Sequence, residues 1–132
     1  MPVHSAETLT RIAQGLLMGA GVSEAEAATV ARHCIGANLA GHDSHGIIAI
    51  SDYIARIGRG HIVPGAPFEI LQESPTTTVI DGHWGFGFVV NERAMALTIE
   101  KAKSQNIAAC TVHRQGHVGR LASYPLMAAR VA

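Results

Sequence analysis

Residues 61–67, His61-Ile62-Val63-Pro64-Gly65-Ala66-Pro67, place two prolines and a glycine within seven positions. Neither a helix interior nor a central strand tolerates that composition, so the stretch is a loop or a domain boundary. The chain changes texture across it. Before it, apolar residues recur at helical spacing. Leu9, Ile12, Ala13, Leu16 and Leu17 lie in one segment from Ser5 to Gly19, with Ser5 as N-cap. Ser23-Glu24-Ala25-Glu26 reads as a capping box, opening a helix through Ala27, Val30, Ala31, Cys34, Ile35 and Leu39 that stops at Gly41. Its many alanines imply close helix–helix packing. Ile47, Ile50, Tyr53, Ile54 and Ile57 then share a third helical face, closed by Arg56-Ile57-Gly58-Arg59-Gly60.

After the loop the pattern is that of short strands. Phe68–Leu71 and Thr76–Ile80 read as strands parted by Ser74-Pro75, with a turn from Asp81-Gly82 through Gly87. Asn91 to Ser104 predicts an amphipathic helix with Ala94, Met95, Leu97, Thr98 and Ala102 inward. Ile107 to Val112 predicts a strand buried on both faces, and Leu121 to Val131 a final helix. Strand, helix, strand in that order predicts a parallel pairing. The expectation is an α/β (α+β) chain: a helical N-terminal domain over 1–66, then the beginning of an α/β sheet domain over 67–132.

Composition limits the function classes. Of the 132 residues 48% are hydrophobic and 15% charged, enough for a packed core. Ten Lys+Arg against ten Asp+Glu leave no excess charge, which argues against nucleic acid or an acidic membrane surface as partner. No apolar run approaches the roughly 18 residues of a membrane span, and the N-terminus lacks the pattern of a signal peptide. Cys34 and Cys110 sit in apolar surroundings and read as reduced thiols, which suits a cytoplasmic protein.

Chemistry concentrates in two motifs. Gly41-His42-Asp43-Ser44-His45-Gly46 falls where two predicted helices meet. One reading makes an imidazole the acid/base group, since it exchanges protons near neutral pH, with the Ser44 hydroxyl or the Asp43 carboxylate orienting it. A plainer reading is a polar helix junction in which these residues serve as caps. A third is a metal site on His42, Asp43 and His45, which neither a His-x-His nor a Cys-x-x-Cys supports. The second motif, Gln115-Gly116-His117-Val118-Gly119-Arg120, follows a predicted strand. Strand ends are where open α/β sheets place ligands. Its glycines permit close backbone approach, and Arg120 suits phosphate or carboxylate. The plainer reading there is a glycine-rich turn with a surface histidine. Gly82, Gly85 and Gly87 have the wrong spacing for a Rossmann fingerprint.

Taken together, Gly-His-Asp-Ser-His-Gly, the Tyr-Ile-x-Arg-Ile-x-x-Gly segment from Tyr53 to Gly60, and Gly-His-Val-Gly-Arg-Leu followed by Tyr124 resemble the malate/L-lactate dehydrogenase type 2 family. The last form is most like its hydroxycarboxylate dehydrogenase branch. The resemblance implies a non-Rossmann α/β fold, a homodimer, and interconversion of a 2-hydroxy acid such as malate or lactate with its 2-oxo acid, using NAD or NADP. It implies proton donors or acceptors at His45 and His117, with Ser44 beside them. It further implies cofactor contacts at His45, Gly119, Arg120 and Leu121. Many relatives carry an Arg at the position of Ala49, so the substrate carboxylate needs another anchor, for which Arg120 and Arg56 are the candidates. Ala122 replaces a common glycine.

Family members are much longer, so the chain reads as the N-terminal portion of such an enzyme. The alternative expectation is a catalytically incompetent truncation acting as a self-associating or interaction module. In either case Val79, Ile80, Ile107, Val112, Leu121 and Leu126 are expected to face water for want of neighbouring strands.

Overall fold

The computed structural model describes residues 3–132. Two helical signals in the sequence become α1 (Ala6–Gly19) and α2 (Glu24–Leu39), each opened by the expected serine. Ser5 Oγ accepts from the Thr8 amide at 3.2 Å, and Ser23 Oγ from the Glu26 amide at 3.3 Å. Only half of the predicted capping box forms. Glu26 turns away from Ser23 and accepts the Gly65 amide at 2.8 Å, tying the proline-rich loop to the start of α2. Ala13, Leu17, Ala27, Val30, Ala31 and Cys34 are fully buried where α1 meets α2. Their small side chains let the two helices approach closely. Two 3₁₀ turns, Asp43–His45 and Ile47–Ala49, then lead into α3 (Ile50–Gly58), so the helix expected from Ile47 becomes regular only at Ile50.

The second half contains β1 (Glu69–Glu73), β2 (Thr77–Gly85), α4 (Gly87–Gln105), β3 (Ala109–Gln115) and α5 (Ser123–Ala129). The sheet order is β1-β2-β3, with β1 antiparallel and β3 parallel to β2, as the strand–helix–strand order predicts. The fold class is thus the expected mixed α/β arrangement.

Three local expectations are corrected. The turn expected from Asp81 is strand as far as Gly85, and α4 begins at Gly87 rather than Asn91. Glycines at 82, 85 and 87 mimic a turn, yet the strand survives by bulging. His83 (φ 45°) and Trp84 (φ 63°) take left-handed backbone, as does Arg114 (φ 50°) on β3, and the β2–β3 register slips between Asp81 and Gly85. Asp81 stabilises this bulge: it accepts the His83 amide at 2.9 Å and the Arg114 guanidinium through both carboxylate oxygens. That guanidinium holds the Asp81 carboxyl down at about 2. Next, β3 is not buried on both faces; its residues alternate between exposed and half-buried. Among the described residues it pairs only with β2, and α4 covers one of its faces. Finally, Ile80 does not face water. It is fully buried with Val90 and Ala94 of α4, while Val79 and Val112 are half-buried. Ile107, Leu121 and Leu126 are exposed as expected.

The larger core joins both sides of the proline-rich loop. Ala13, Leu17, Val30, Cys34, Ile50, Tyr53 and Ile62 pack with Phe86 and Phe88 from the start of α4. Cys34 is buried and Cys110 half-buried, both free, and burial pushes the Cys34 thiol up to about 12. No described helix is long and apolar enough to cross a membrane.

Candidate active site

The first histidine motif is shaped by the end of α2. Gly41 (φ 76°) reverses the chain in left-handed backbone, and the His42 amide donates to the Ala37 carbonyl at 2.8 Å. Asn38, one turn back, then holds the loop from both sides. Its amide nitrogen donates to Asp43 Oδ1 at 2.7 Å, and its oxygen accepts the Ile47 amide at 2.8 Å. Gly46 lies directly on the Asn38 amide, leaving no room for a Cβ. Asp43 is therefore occupied as a loop brace, in line with the plainer capping reading for that residue. The Ser44 hydroxyl, by contrast, lies 2.9 Å from Nδ1 of His45.

The second motif is clamped by α4 and α5. The Gly116 amide donates to the Gly85 carbonyl at 2.8 Å, and Gly87 faces the Gly116 and His117 carbonyls with no space for a side chain. Gly119 (φ 69°) rests on the Phe88 ring, and the Tyr124 hydroxyl donates to the Val118 carbonyl at 2.6 Å. With its backbone so fixed, His117 turns Nδ1 toward the Tyr53 hydroxyl of α3, 2.9 Å away.

These two loops, 72 positions apart at His45 and His117, bring their imidazoles together: the ring centroids are 5.4 Å apart and the planes tilted by 34°. Phe88 stands edge-on to both His117 and Tyr53, forming an apolar wall. Burial, with the nearby His45 and Arg56 charges, holds His117 below the ordinary histidine value, against an opposing pull from Asp52. Its neutral form is thereby favoured near pH 7. Burial raises the Tyr53 hydroxyl well above the usual tyrosine range, so it stays protonated.

On the other side of His45 a cleft of about 330 Å³ is lined by His42, His45, Gly119, Arg120, Leu121 and Ala122. Arg120 also lines a neighbouring cavity with Arg32 and Glu92, and its Nε is buried without a hydrogen-bond partner among the described residues. An unpaired guanidinium N–H suits an anionic group. Arg56 does not line this cleft. It donates to Asp52 at 2.7 Å on the exposed side of α3 and reaches the site only through its charge. Ser44, His45, His117, Gly119, Arg120 and Leu121 are thus gathered at one place, and Arg56 stands at its margin.

His42, Asp43 and His45 do not converge as metal ligands. Among the described residues, only Glu69, Asp81 and His83 bring such atoms within 4.8 Å of one another, and Arg114 already occupies Asp81. Three contributors escape a reading by motif. Tyr53 looks like one more apolar position of α3, Asn38 like a helix-surface residue, and Phe88 falls between the expected turn and the helix expected from Asn91. A buried tyrosine does need a partner for its hydroxyl, and that was the available signal for Tyr53.

Comparison with known proteins agrees with this architecture. The family model described as malate/L-lactate dehydrogenase matches residues 4–131. Hydroxycarboxylate dehydrogenase B of Escherichia coli K12 is 41% identical over 88% of this chain and 32% of its own length. L-sulfolactate dehydrogenase of Methanocaldococcus jannaschii is 38% identical over 82% of this chain and 31% of its own. Among solved structures, malate dehydrogenase from Entamoeba histolytica superposes with a TM-score of 0.93 at 36% identity, over 98% of this chain and 36% of that one. Malate dehydrogenase from Pyrococcus horikoshii gives 0.92 at 32% identity, over 96% and 36%. The chain spans about a third of the length of the curated relatives it matches. With a family model matched from residue 4 to residue 131 and both histidine loops meeting in one cleft, the chain belongs to the malate/L-lactate dehydrogenase family.

Proposed function

We propose that this chain carries the proton-handling side of an NAD(P)-dependent oxidoreductase site that interconverts a 2-hydroxy acid and its 2-oxo acid. The observation that carries the reading is the 5.4 Å approach of the His45 and His117 rings beside a cleft with an unpaired Arg120 Nε. The names of the relatives, hydroxycarboxylate, malate and sulfolactate dehydrogenases, support the substrate class.

A nicotinamide dinucleotide, when bound, supplies or accepts the hydride. The residues of this chain do the rest. His45, Gly119, Arg120 and Leu121 would hold the dinucleotide, whose phosphate charge fits the Arg120 guanidinium. Reduction leaves charge on the former carbonyl oxygen. An imidazole within reach stabilises that oxygen by a hydrogen bond or by giving it a proton. Ser44 and Tyr53 orient the two rings, and Phe88 keeps one wall apolar, which strengthens these polar contacts by excluding water. Arg120 is the candidate anchor for the substrate carboxylate, with Arg56 contributing positive potential from the margin. A division at residue 66 into a helical unit and a sheet unit, a homodimer and a cytoplasmic location belong to the same reading.

A second reading, a self-associating module without turnover, is favoured by Ile107 and Leu121, which are 73% and 70% exposed. The separating experiment is a fluorescence titration of NADH and NADPH against the chain, followed by turnover with a panel of 2-oxo acids. Saturable binding that weakens in Arg120→Ala supports the first reading. Indifference to both dinucleotides together with concentration-dependent association supports the second.

A further inference from the structure

We propose that Tyr53 is a positioning residue that divides the labour of the two histidines. Its buried hydroxyl donates to Nδ1 of His117 and holds the neutral ring with its proton on Nε2. His117 is then the hydrogen-bond donor to the substrate oxygen, and His45 is the residue that exchanges the proton. This rests on the oxidoreductase reading of the site.

Tyr53 is 2% exposed, and among the described residues its hydroxyl has one hydrogen-bond partner, Nδ1 of His117 at 2.9 Å. Were Nδ1 to carry the proton, the tyrosine O–H would be left buried without an acceptor, which is unfavourable. The neutral ring therefore accepts at Nδ1, and its single proton lies on Nε2, the nitrogen without a protein partner. A ring in this state can donate to a carbonyl oxygen but has no free nitrogen to act as a base. Phe88 stands edge-on beside the ring, and the Gly116–Gly119 backbone that carries it is clamped. The charged groups that act on it, His45, Arg56 and Asp52, include two that favour the neutral ring.

His45 has the opposite surroundings. Its Nδ1 partner, Ser44 Oγ, is on an exposed residue, so the serine proton can point to solvent while the oxygen accepts from Nδ1–H. Nε2 of His45 has no partner among the described residues and is free to lose or regain a proton.

In the reductive direction, a bound nicotinamide would supply the hydride for the new C–H bond, and the carbonyl π pair would move to oxygen. The Nε2–H bond of the His45 imidazolium breaks as the O–H bond forms. The remaining His45 proton stays on Nδ1, donated to Ser44. His117 keeps its proton throughout and hydrogen-bonds the same oxygen.

Nitrogen-15 NMR of histidine-labelled chain, above the histidine titration range, tests the first part without any turnover. The expected spectrum has His117 protonated at Nε2, and Tyr53→Phe produces a mixture of both tautomers in a protein whose amide spectrum stays folded. A wild-type His117 protonated at Nδ1 overturns the proposal, and this wild-type result decides even if the variant does not fold. The kinetic arm uses Gln, whose amide N–H replaces Nε2–H. His117→Gln is expected to lower the rate but to keep the acid/base limb of the pH profile, whereas His45→Gln loses more, about 10²–10⁴-fold, together with that limb. The reverse ranking also overturns it. Failure to bind NADH or NADPH would instead remove the oxidoreductase reading and leave the tautomer result standing.

Discussion

The half of the molecule that holds the two histidines and the half that ends at β3 are built to different standards. Around the histidines, α1, α2 and α3 close on Phe86 and Phe88 with side chains that are essentially all buried. Under the sheet the buried cluster shrinks to Ile80, Val90 and Ala94, and residues such as Ile107 lie open. Phe88 belongs to α4, an element of the sheet half, yet it packs into the helical core and touches His33, Tyr53 and His117. The difference teaches that the geometry of the candidate site is carried by the well-packed region, and that the sheet contributes mainly the two strand ends, Gly85 and Gln115, that deliver the loop.

Phe88→Ala is the largest expected insult to that arrangement. A buried Phe lost from a packed core costs about 3–5 kcal/mol, a large share of an ordinary domain's margin, measurable by urea unfolding. Gly119→Ala comes next. Its Cβ would strike the Phe88 ring from a backbone at φ 69°, so a loss of about 1–3 kcal/mol is expected, and a displaced His117 signal in NMR with it. Ser23→Ala should cost about 1 kcal/mol through the lost cap; an unchanged melting midpoint would count against that cap. Ile107→Ala, in the open half, should shift stability by no more than about 0.5 kcal/mol. Sedimentation should still show weaker self-association for it if the exposed sheet face makes contacts between copies. A large stability loss at Ile107 would break the comparison.

Acid sensitivity sharpens it further. His33 is buried between the Phe88 and Tyr124 rings and held below its ordinary 6.5 by that burial, with Glu92 at 2.8 Å opposing. His117 is lowered as well. Both bind protons more readily when unfolded. Stability is therefore full above the ordinary histidine value and falls as pH drops through it toward the lower folded values. Melting curves between neutral pH and about pH 5 should show this fall, and His33→Gln should flatten it.

Much of this was legible in the residues. Helical spacing and two serine caps located α1 and α2, and the strand–helix–strand order gave the parallel β2–β3 pair. The two histidine motifs pointed to one cleft because each places a titratable ring beside glycines. What escaped depended on tertiary contacts. The bulge from Asp81 to Gly85 exists because Arg114, 33 residues on, neutralises Asp81, and local turn propensity cannot register that. Glu26 left its capping box for an amide 39 residues away. Tyr53 and Asn38 matter through single long-range hydrogen bonds, which leave no periodic trace.

The most direct test of the shared cleft is the titration of His117, followed by NMR in the chain and in its His45→Gln variant. If the rings lie 5.4 Å apart, removing His45 removes a like charge that holds His117 down, and the His117 titration should move to higher pH. A His117 titration unchanged by that substitution, in a variant that remains folded, would contradict the single site on which the account rests.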